Sequence, residues 1–385
     1  MIYLDHAATT VPYPSVVEIF CREMQEHYYN PAALYRPAID RETAVRDALS
    51  VIGRTLGCEG KELIVTSGAT ESTNAAIKGY CHAHRRSCQK IVISAGEHAA
   101  TRQSVAFLKD LGFQVEIVPL TDEGVIDYDV LAETLSTDTL LISMIGVNNE
   151  TGALNDIKRI VSLRDKLAPQ AALHVDYVQA WNRLSLQLAA SGVDLASFSG
   201  HKIHGPKGIG LLYCREGIRL TPFIHGGGQQ NNRRSGTEHP AAVLALAEAA
   251  QIGYGQMEQA NRHATELRSF LLAELDRLAV DYRVNGAAVA IPHILSVSFP
   301  HIKGETLLHI LEQDQIYVAT GSACSSSKSR ISPVLQAMHL PFEYAEGTLR
   351  LSFSEQNTRQ EMTQVAASIA AGTAQLTALK PRRRR

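Results

Sequence analysis

The stretch SFSGHKIHGPKGIGLLYC, residues 197–214, leaves a short apolar run at a lysine and enters a second apolar run after a turn rich in glycine and proline. LASFS (195–199) and IGLLYC (209–214) read as strands, and Gly205, Pro206 and Gly208 punctuate the chain between them. Lys202 therefore stands just past the carboxyl end of a strand. Lys207 falls inside the turn and reads as a structural turn residue. An isolated lysine is ordinarily a solvated charge, so the case for a chemical role rests on what else stands at equivalent positions.

Upstream, strand and helix patterns alternate. ELIVTSG (62–68), KIVISAGEH (90–98), QVEIVPL (114–120), TLLISMIGVNN (139–149) and ALHVDYVQ (172–179) read as strands with their exits. ESTNAAIKGYCHAHRR (71–86), ATRQSVAFLKDLG (100–112) and DYDVLAETLS (127–136) carry helical spacing. This alternation predicts a mainly parallel sheet covered by helices on both faces. In such sheets ligands bind beyond the carboxyl ends of the strands. Residues 240–280 read as one or two long helices leading to a second, smaller α/β lobe. That lobe is built from HILSVSF (293–299), GETLLHILEQ (304–313), IYVAT (316–320), TLRLSFS (348–354) and a closing helix over 358–379.

Composition narrows the function classes. The chain has 385 residues, enough for a large domain with a smaller lobe, and a formal net charge of only -2. Nothing in that balance draws it to nucleic acid or an anionic membrane. The four arginines at 382–385 read as a solvated terminus. No apolar run approaches the ~20 residues of a membrane span, and the first residues lack the pattern of a secretory signal. Six scattered cysteines form no disulfide framework, which predicts reduced thiols and a cytoplasmic location. Cys81, His82, His84 and Cys88 fit no standard metal spacing, so no metal is expected.

The residues at the strand exits form a chemically coherent set. Ser67-Gly68-Ala69-Thr70 opens a helix, where unpaired N–H groups and the helix dipole suit a phosphate. Glu97 and His98 follow the next strand, then Asn148, Asn149 and Glu150, then Asp176 with Gln179, then Ser199, His201 and Lys202. A buried aspartate needs a cation or a proton donor, a histidine can stack on a flat ring, and a desolvated lysine can attack a carbonyl. Pyridoxal 5'-phosphate meets all of these requirements at once: a phosphate, a protonatable ring nitrogen, a phenolic oxygen and an aldehyde.

YLDHAATT (3–10), TSGATES (66–72), EH (97–98), NNETG (148–152), HVDYVQ (174–179), SGHKIHGPKGIG (199–210), GGGQQNNRRSGT (226–237) and TGSACSS (320–326) resemble, in order, the motifs of the cysteine desulfurases. These belong to the class-V aminotransferase group of fold-type I pyridoxal-phosphate enzymes. The resemblance implies a large cofactor-binding domain over 16–256, and a small domain from 1–15 and 257–385 carrying a mobile cysteine loop at about 320–333. Lys202 would hold the cofactor as a Schiff base. Asp176 would pair with the ring nitrogen, His98 would stack on the ring and help move protons, and Gln179 would bond the phenolic oxygen. Ala69, Thr70, Ser199, Gly200 and His201 would serve the phosphate end. Asn149 would contact cofactor and substrate. Thr237 would reach the phosphate of a neighbouring subunit, which implies a homodimer with shared sites. Asn30 and Arg350 would bind the substrate, Arg350 as the bidentate partner of its carboxylate.

VATGSACSSSKSRISPVL (318–335) discriminates among the reactions this scaffold supports. Cys324 lies among small polar residues, whereas Cys214 ends an apolar strand. By resemblance to the longer-loop members, Cys324 would take sulfur from L-cysteine as a persulfide, releasing L-alanine, and pass it to an acceptor such as an iron–sulfur scaffold or a tRNA-thiolation enzyme. Either Lys202 or His98 would remove the Cα proton, and Lys328 or a pocket histidine would activate the thiol. A transaminase or selenocysteine lyase of the same fold, and a pyridoxal-phosphate-binding sulfur-relay scaffold, are the alternatives. The chain departs from the family pattern at NPAALYRPA (30–38), where Tyr35 replaces the usual histidine. It departs again at SFSEQNT (352–358), and in the extra polar residues before Thr237.

Overall fold

In the computed structural model, residues 1–85, 88–321 and 331–378 are described, so Cys324, Lys328 and the arginine tail lie outside the described residues. The strands, in chain order, are β1 (Ile2–Tyr3), β2 (Leu63–Thr66), β3 (Lys90–Ser94), β4 (Gln114–Val118), β5 (Thr139–Ile145), β6 (Ala172–Asp176), β7 (Leu195–Ser199), β8 (Gly210–Cys214), β9 (Arg283–Asn285), β10 (Ile294–Ser298), β11 (Ile316–Tyr317), β12 (Ala319–Thr320) and β13 (Thr348–Ser352).

A seven-stranded sheet in the order β2-β8-β7-β6-β5-β3-β4 forms the centre. The pairs β7–β6, β6–β5, β5–β3 and β3–β4 are parallel, while β8 runs antiparallel to both of its neighbours. The reversal follows from the connection. β7 reaches β8 through the short turn at 200–209 with no crossover helix, and only an antiparallel partner can be joined so directly. Every residue of β5, β6 and β7 is buried, as expected for strands covered on both faces. β2, β3, β5, β6 and β7 all end at one edge of the sheet, and the register places Asp176 level with Ile145 and Ser197.

The stretch from residue 240 forms one helix, Pro240–Arg277, about 57 Å long at 1.5 Å per residue. Its first half buries Ala242, Val243, Ala245, Leu246, Ala247, Ala249 and Ala250 against the central sheet's core. Its second half buries Ala264, Leu267, Leu271 and Leu275 in a separate core with Leu295, Leu349, Phe353 and Ile369. That second core surrounds a four-stranded antiparallel sheet, β12-β13-β10-β9. Ile2 and Leu4 also belong to it, because β1 pairs parallel with β11. The segment after β1 then crosses to the carboxyl edge of the large sheet, where Thr10 Oγ1 donates to the carbonyl of His201.

Candidate active site

A cleft of about 540 Å³ opens at the carboxyl ends of β2, β3, β5, β6 and β7, within the size range of small-molecule sites. Its wall brings together Ala69, Thr70, His98, Asn149, Asp176, Gln179, Ser199, His201, Lys202 and Arg350. Four expected residues are not part of that wall. Gly200 lies beneath it, buried, with its N–H donating to the Ile209 carbonyl. A Cβ on Gly200 would stand 2.9 Å from Leu246 Cδ1 and 3.1 Å from the Pro206 carbonyl oxygen, so a side chain there would have to displace both. Thr237 lines a separate hollow with Ser67, Gln230 and Arg234. Asn30 is exposed, its Oδ1 accepting from Ala32 N. Cys324 lies outside the described residues.

Lys202 leaves β7 through a short 3₁₀ turn, Gly200–Lys202. Its Nζ donates to the carbonyls of Ala7 and Ala8, each at 2.6 Å. Gln179 Nε2 donates to the same Ala7 carbonyl at 2.9 Å. The N-terminal segment thus serves as the seat of the lysine, a contact spanning 195 residues.

Asp176 is 5% exposed, and its Oδ1 accepts from Val178 N at 3.0 Å. Burial raises its pKa, and the charges of His98 and Lys202 oppose the rise. His98 is the N-cap of the helix Ala99–Asp110, its Nδ1 accepting from Ala100 N at 3.1 Å. That bond fixes the neutral tautomer, with hydrogen on Nε2. Burial lowers the His98 pKa, partly offset by Asp176 and reinforced by Lys202 and Arg102. His201 is pushed down to about 4 by burial, with Lys202 and Lys207 contributing.

The two neighbouring asparagines divide their roles. Asn148 is spent on structure: its Nδ2 donates to the Gly96 carbonyl, and its Oδ1 accepts from the N–H groups of Glu150 and Thr151. Asn149 faces the cleft, and its carbonyl accepts from Arg350 NH1 at 2.9 Å. Arg350, on β13, is buried, and its NH2 donates to Asp5 Oδ1 at 2.7 Å.

The residues present fit pyridoxal phosphate. The helix Ala69–His84 begins at the cleft wall, where the first N–H groups of a helix have no intrahelical acceptor. A Cβ on Gly68 would meet only Ser199 Oγ, at 3.9 Å, so the turn leaves room for a ligand. A buried acid, a tautomer-locked histidine and a lysine converge where a ring nitrogen, a ring face and an aldehyde would each need a partner.

Several contributors were given no site role in the sequence reading, although Glu97, Glu150 and Lys207 were noted there. Lys207, read as a turn residue, lines the cleft together with Gly208. Asp5 braces Arg350. Glu97 lies under the cleft, with Oε1 accepting from Ser94 Oγ and Ile145 N, and burial pushes its carboxyl up to about 8. Glu150 is pushed up to about 7 by burial, against a hydrogen bond from Ser332 and the charges of Arg350 and Arg102. A Cβ on Gly321 would come within 2.9 Å of Glu150 Oε2, so this acid is flanked by Gly321 and Ser332, on either side of residues 322–330. All three acids stand inside motifs quoted above, next to strand ends. A charged residue directly after or before an apolar run was the available signal.

Comparison with known proteins agrees with this geometry. The family model described as "Aminotransferase class-V" matches residues 2–365. A relative named "Cysteine desulfurase IscS", from Dictyoglomus turgidum, is 36% identical over 364 residues, covering 94% of this chain and 91% of its own length. A solved structure titled "NIFS-LIKE PROTEIN" superposes with a TM-score of 0.92 at 32% identity, covering 97% of this chain and all of its own. A second, titled "SspA in complex with cysteine", superposes with a TM-score of 0.82 at 27% identity, covering 93% of this chain and all of its own. With a family match along nearly its whole length and a cleft that suits the family's cofactor, the chain belongs to the class-V aminotransferases and, among them, to the pyridoxal-phosphate-dependent cysteine desulfurases.

Proposed function

We propose that this chain takes sulfur from L-cysteine at the cleft, leaving L-alanine and a persulfide on Cys324, and hands that sulfur to an acceptor protein. The reading rests above all on the convergence of Lys202, Asp176, His98 and Arg350 on one cleft. When bound there, pyridoxal phosphate supplies an electron-withdrawing ring that stabilises negative charge at the substrate's Cα. Lys202 would hold it through its amine, Asp176 would keep the ring nitrogen protonated, and the helix start at Ala69 and Thr70, with Ser199 and His201, would take the phosphate.

Arg350 binds the substrate carboxylate, with Asp5 and the Asn149 carbonyl holding the guanidinium in place. Lys202 is the candidate base for the Cα proton. The Ala100 N–H occupies His98 Nδ1, so the neutral ring carries hydrogen on Nε2 and is arranged to give a proton. The Cys324 thiolate attacks the substrate sulfur, an S–S bond forms and the Cβ–S bond breaks. The change balances: L-cysteine and a thiol become L-alanine and a persulfide.

The acceptor would be an iron–sulfur scaffold or a tRNA-thiolation enzyme; the Dictyoglomus turgidum relative is named as a cysteine desulfurase, which supports the sulfur-donor role alone. A homodimer with shared sites accounts for Asn30 and Thr237 lying outside the cleft of a single chain. It also accounts for the apolar surface around Asn30, where Tyr28 is 73% and Leu34 93% exposed. The division into 16–256, and 1–15 with 257–385, is supported by the shared core of Ile2, Leu4 and the second lobe. A cytoplasmic setting suits the unpaired Cys21, Cys58, Cys81, Cys88 and Cys214. No helix among the described residues is long and apolar enough to cross a membrane.

The test is turnover of L-cysteine by the purified chain with a thiol reductant present. Equimolar alanine and sulfide are expected, and Cys324→Ala is expected to stop both while leaving the cofactor absorbance intact. Undiminished turnover by that variant would remove Cys324 from the reaction.

A further inference from the structure

Among the cleft residues, Glu71 is chemically out of place. It sits in the first turn of the helix Ala69–His84, on the wall that also carries Ser67, Gly68, Ala69 and Thr70. An acid in a first turn favours the helix itself. Beside an anion-binding helix start, however, its charge opposes the ligand, as like charges disfavour one another's ionised forms. Its side chain is only 8% exposed, so solvent does little to screen it.

Arg234 answers that charge. Its Nε donates to Glu71 Oε1 at 2.9 Å and its NH2 donates to Glu71 Oε2 at 3.3 Å, a bidentate pair bridging 163 residues. Oε2 also accepts from Ser67 N at 2.8 Å, so the same carboxylate shapes the turn before the helix. Burial pushes the Glu71 pKa up, but the bonds from Arg234 and Ser67 outweigh it and the carboxyl stays ionised.

The segment that presents Arg234 is braced for this purpose. Gln230 pairs its side-chain amide with both the N–H and the carbonyl of Val65, at 2.7 and 2.9 Å, closing the free edge of β2 as a strand would. Gln230, Asn231 and Asn232 all hold positive φ, between 50° and 60°. That left-handed run disfavours ordinary side chains. Gly236 N donates to Gln229 Oε1, tying the far side of the segment. The polar residues before Thr237 thus brace the segment that carries the arginine.

We infer that Arg234 is a positioning residue for the cofactor's phosphate: by neutralising Glu71 it converts the start of the helix Ala69–His84 into a site that accepts a dianion. The inference rests on the reading that this helix start takes the phosphate. It concerns charge rather than mere attachment of the 228–237 segment, and the two roles respond oppositely to a second substitution.

The experiment titrates the full chain, stripped of cofactor, with pyridoxal phosphate and separately with pyridoxal, following absorbance at equilibrium. Arg234→Met is expected to weaken pyridoxal phosphate about tenfold, the equivalent of ~1.4 kcal/mol, and to leave pyridoxal affinity unchanged. Adding Glu71→Gln to Arg234→Met removes the uncompensated charge and is expected to restore the affinity. If the double variant binds no better than Arg234→Met, or if pyridoxal weakens equally, Arg234 is only a structural tie and the inference falls. If the unaltered chain binds both ligands equally well, the phosphate reading of the helix start fails first.

Discussion

Replacing Asp176 by Asn separates the function of this acid from its effect on the fold. The amide has the same shape, and its oxygen can still accept from Val178 N, which the carboxylate does at 3.0 Å. What is lost is the negative charge at a site 5% exposed. Removing one member of a buried ion pair costs about 3–5 kcal/mol. If that cost falls on the reacting state, kcat/KM for L-cysteine drops by roughly 10² to 10³ or more, at 1.36 kcal/mol per decade. Stability moves the other way in the cofactor-free protein. Burial raises the Asp176 pKa, His98 and Lys202 offsetting only part of the rise. The native state therefore holds the proton more tightly than the unfolded chain. Stability is lost as pH climbs from the unfolded carboxyl pKa through the folded one, and above that window the ionised acid is a standing cost. At pH 8 the cofactor-free Asp176→Asn protein is expected to melt higher than the unaltered chain. The assays are steady-state alanine release and thermal melting of the stripped protein. A variant that keeps full turnover and melts lower would refute the reasoning, because it would make Asp176 a structural acid.

Other outcomes follow from the same geometry. Lys202→Ala should yield a protein whose cofactor is removed by gel filtration and whose colour borohydride does not fix, with no alanine formed; a retained, reducible chromophore would place the attachment elsewhere. Arg350→Lys keeps the charge but loses the planar fork, so KM for L-cysteine should rise about 10-fold or more, from ~1.5 kcal/mol or more of lost charged hydrogen bonding, while the cofactor spectrum stays unchanged. Asp5→Ala should raise the same KM by releasing the guanidinium that Asp5 Oδ1 holds at 2.7 Å, and an unaltered KM would show that the Asn149 carbonyl suffices. Glu97, pushed up to about 8 by burial, should make the chain lose stability as pH rises from about 4.5 to 8. Chemical denaturation of Glu97→Gln at pH 5 and pH 9 should show a smaller loss than the unaltered chain.

The local pattern of the chain reached the architecture because apolar runs and helical spacing are properties of neighbouring residues. It reached Lys202, Asp176, His98, Asn149 and Ser199 as well. A mainly parallel sheet sends the exits of all its strands but the antiparallel β8 to one edge, so naming the parallel strands points to the cleft. Which of two adjacent residues serves the cleft was harder. Asn148 and Asn149 look alike in sequence, and only the hydrogen bonds that Asn148 makes to Gly96, Glu150 and Thr151 show it to be occupied.

What the sequence by itself determined is thus the order of strands and helices and the chemistry waiting at their ends. The tertiary structure alone decided how that chemistry is held: Lys202 seated on the carbonyls of Ala7 and Ala8, Arg350 clasped by Asp5, Glu71 neutralised by Arg234, and Lys207 turned into the wall. The first three join residues 163 or more positions apart. The strength of a charge or hydrogen bond depends on burial and on the partner met in space, and neither is written in the identity of a residue's neighbours along the chain.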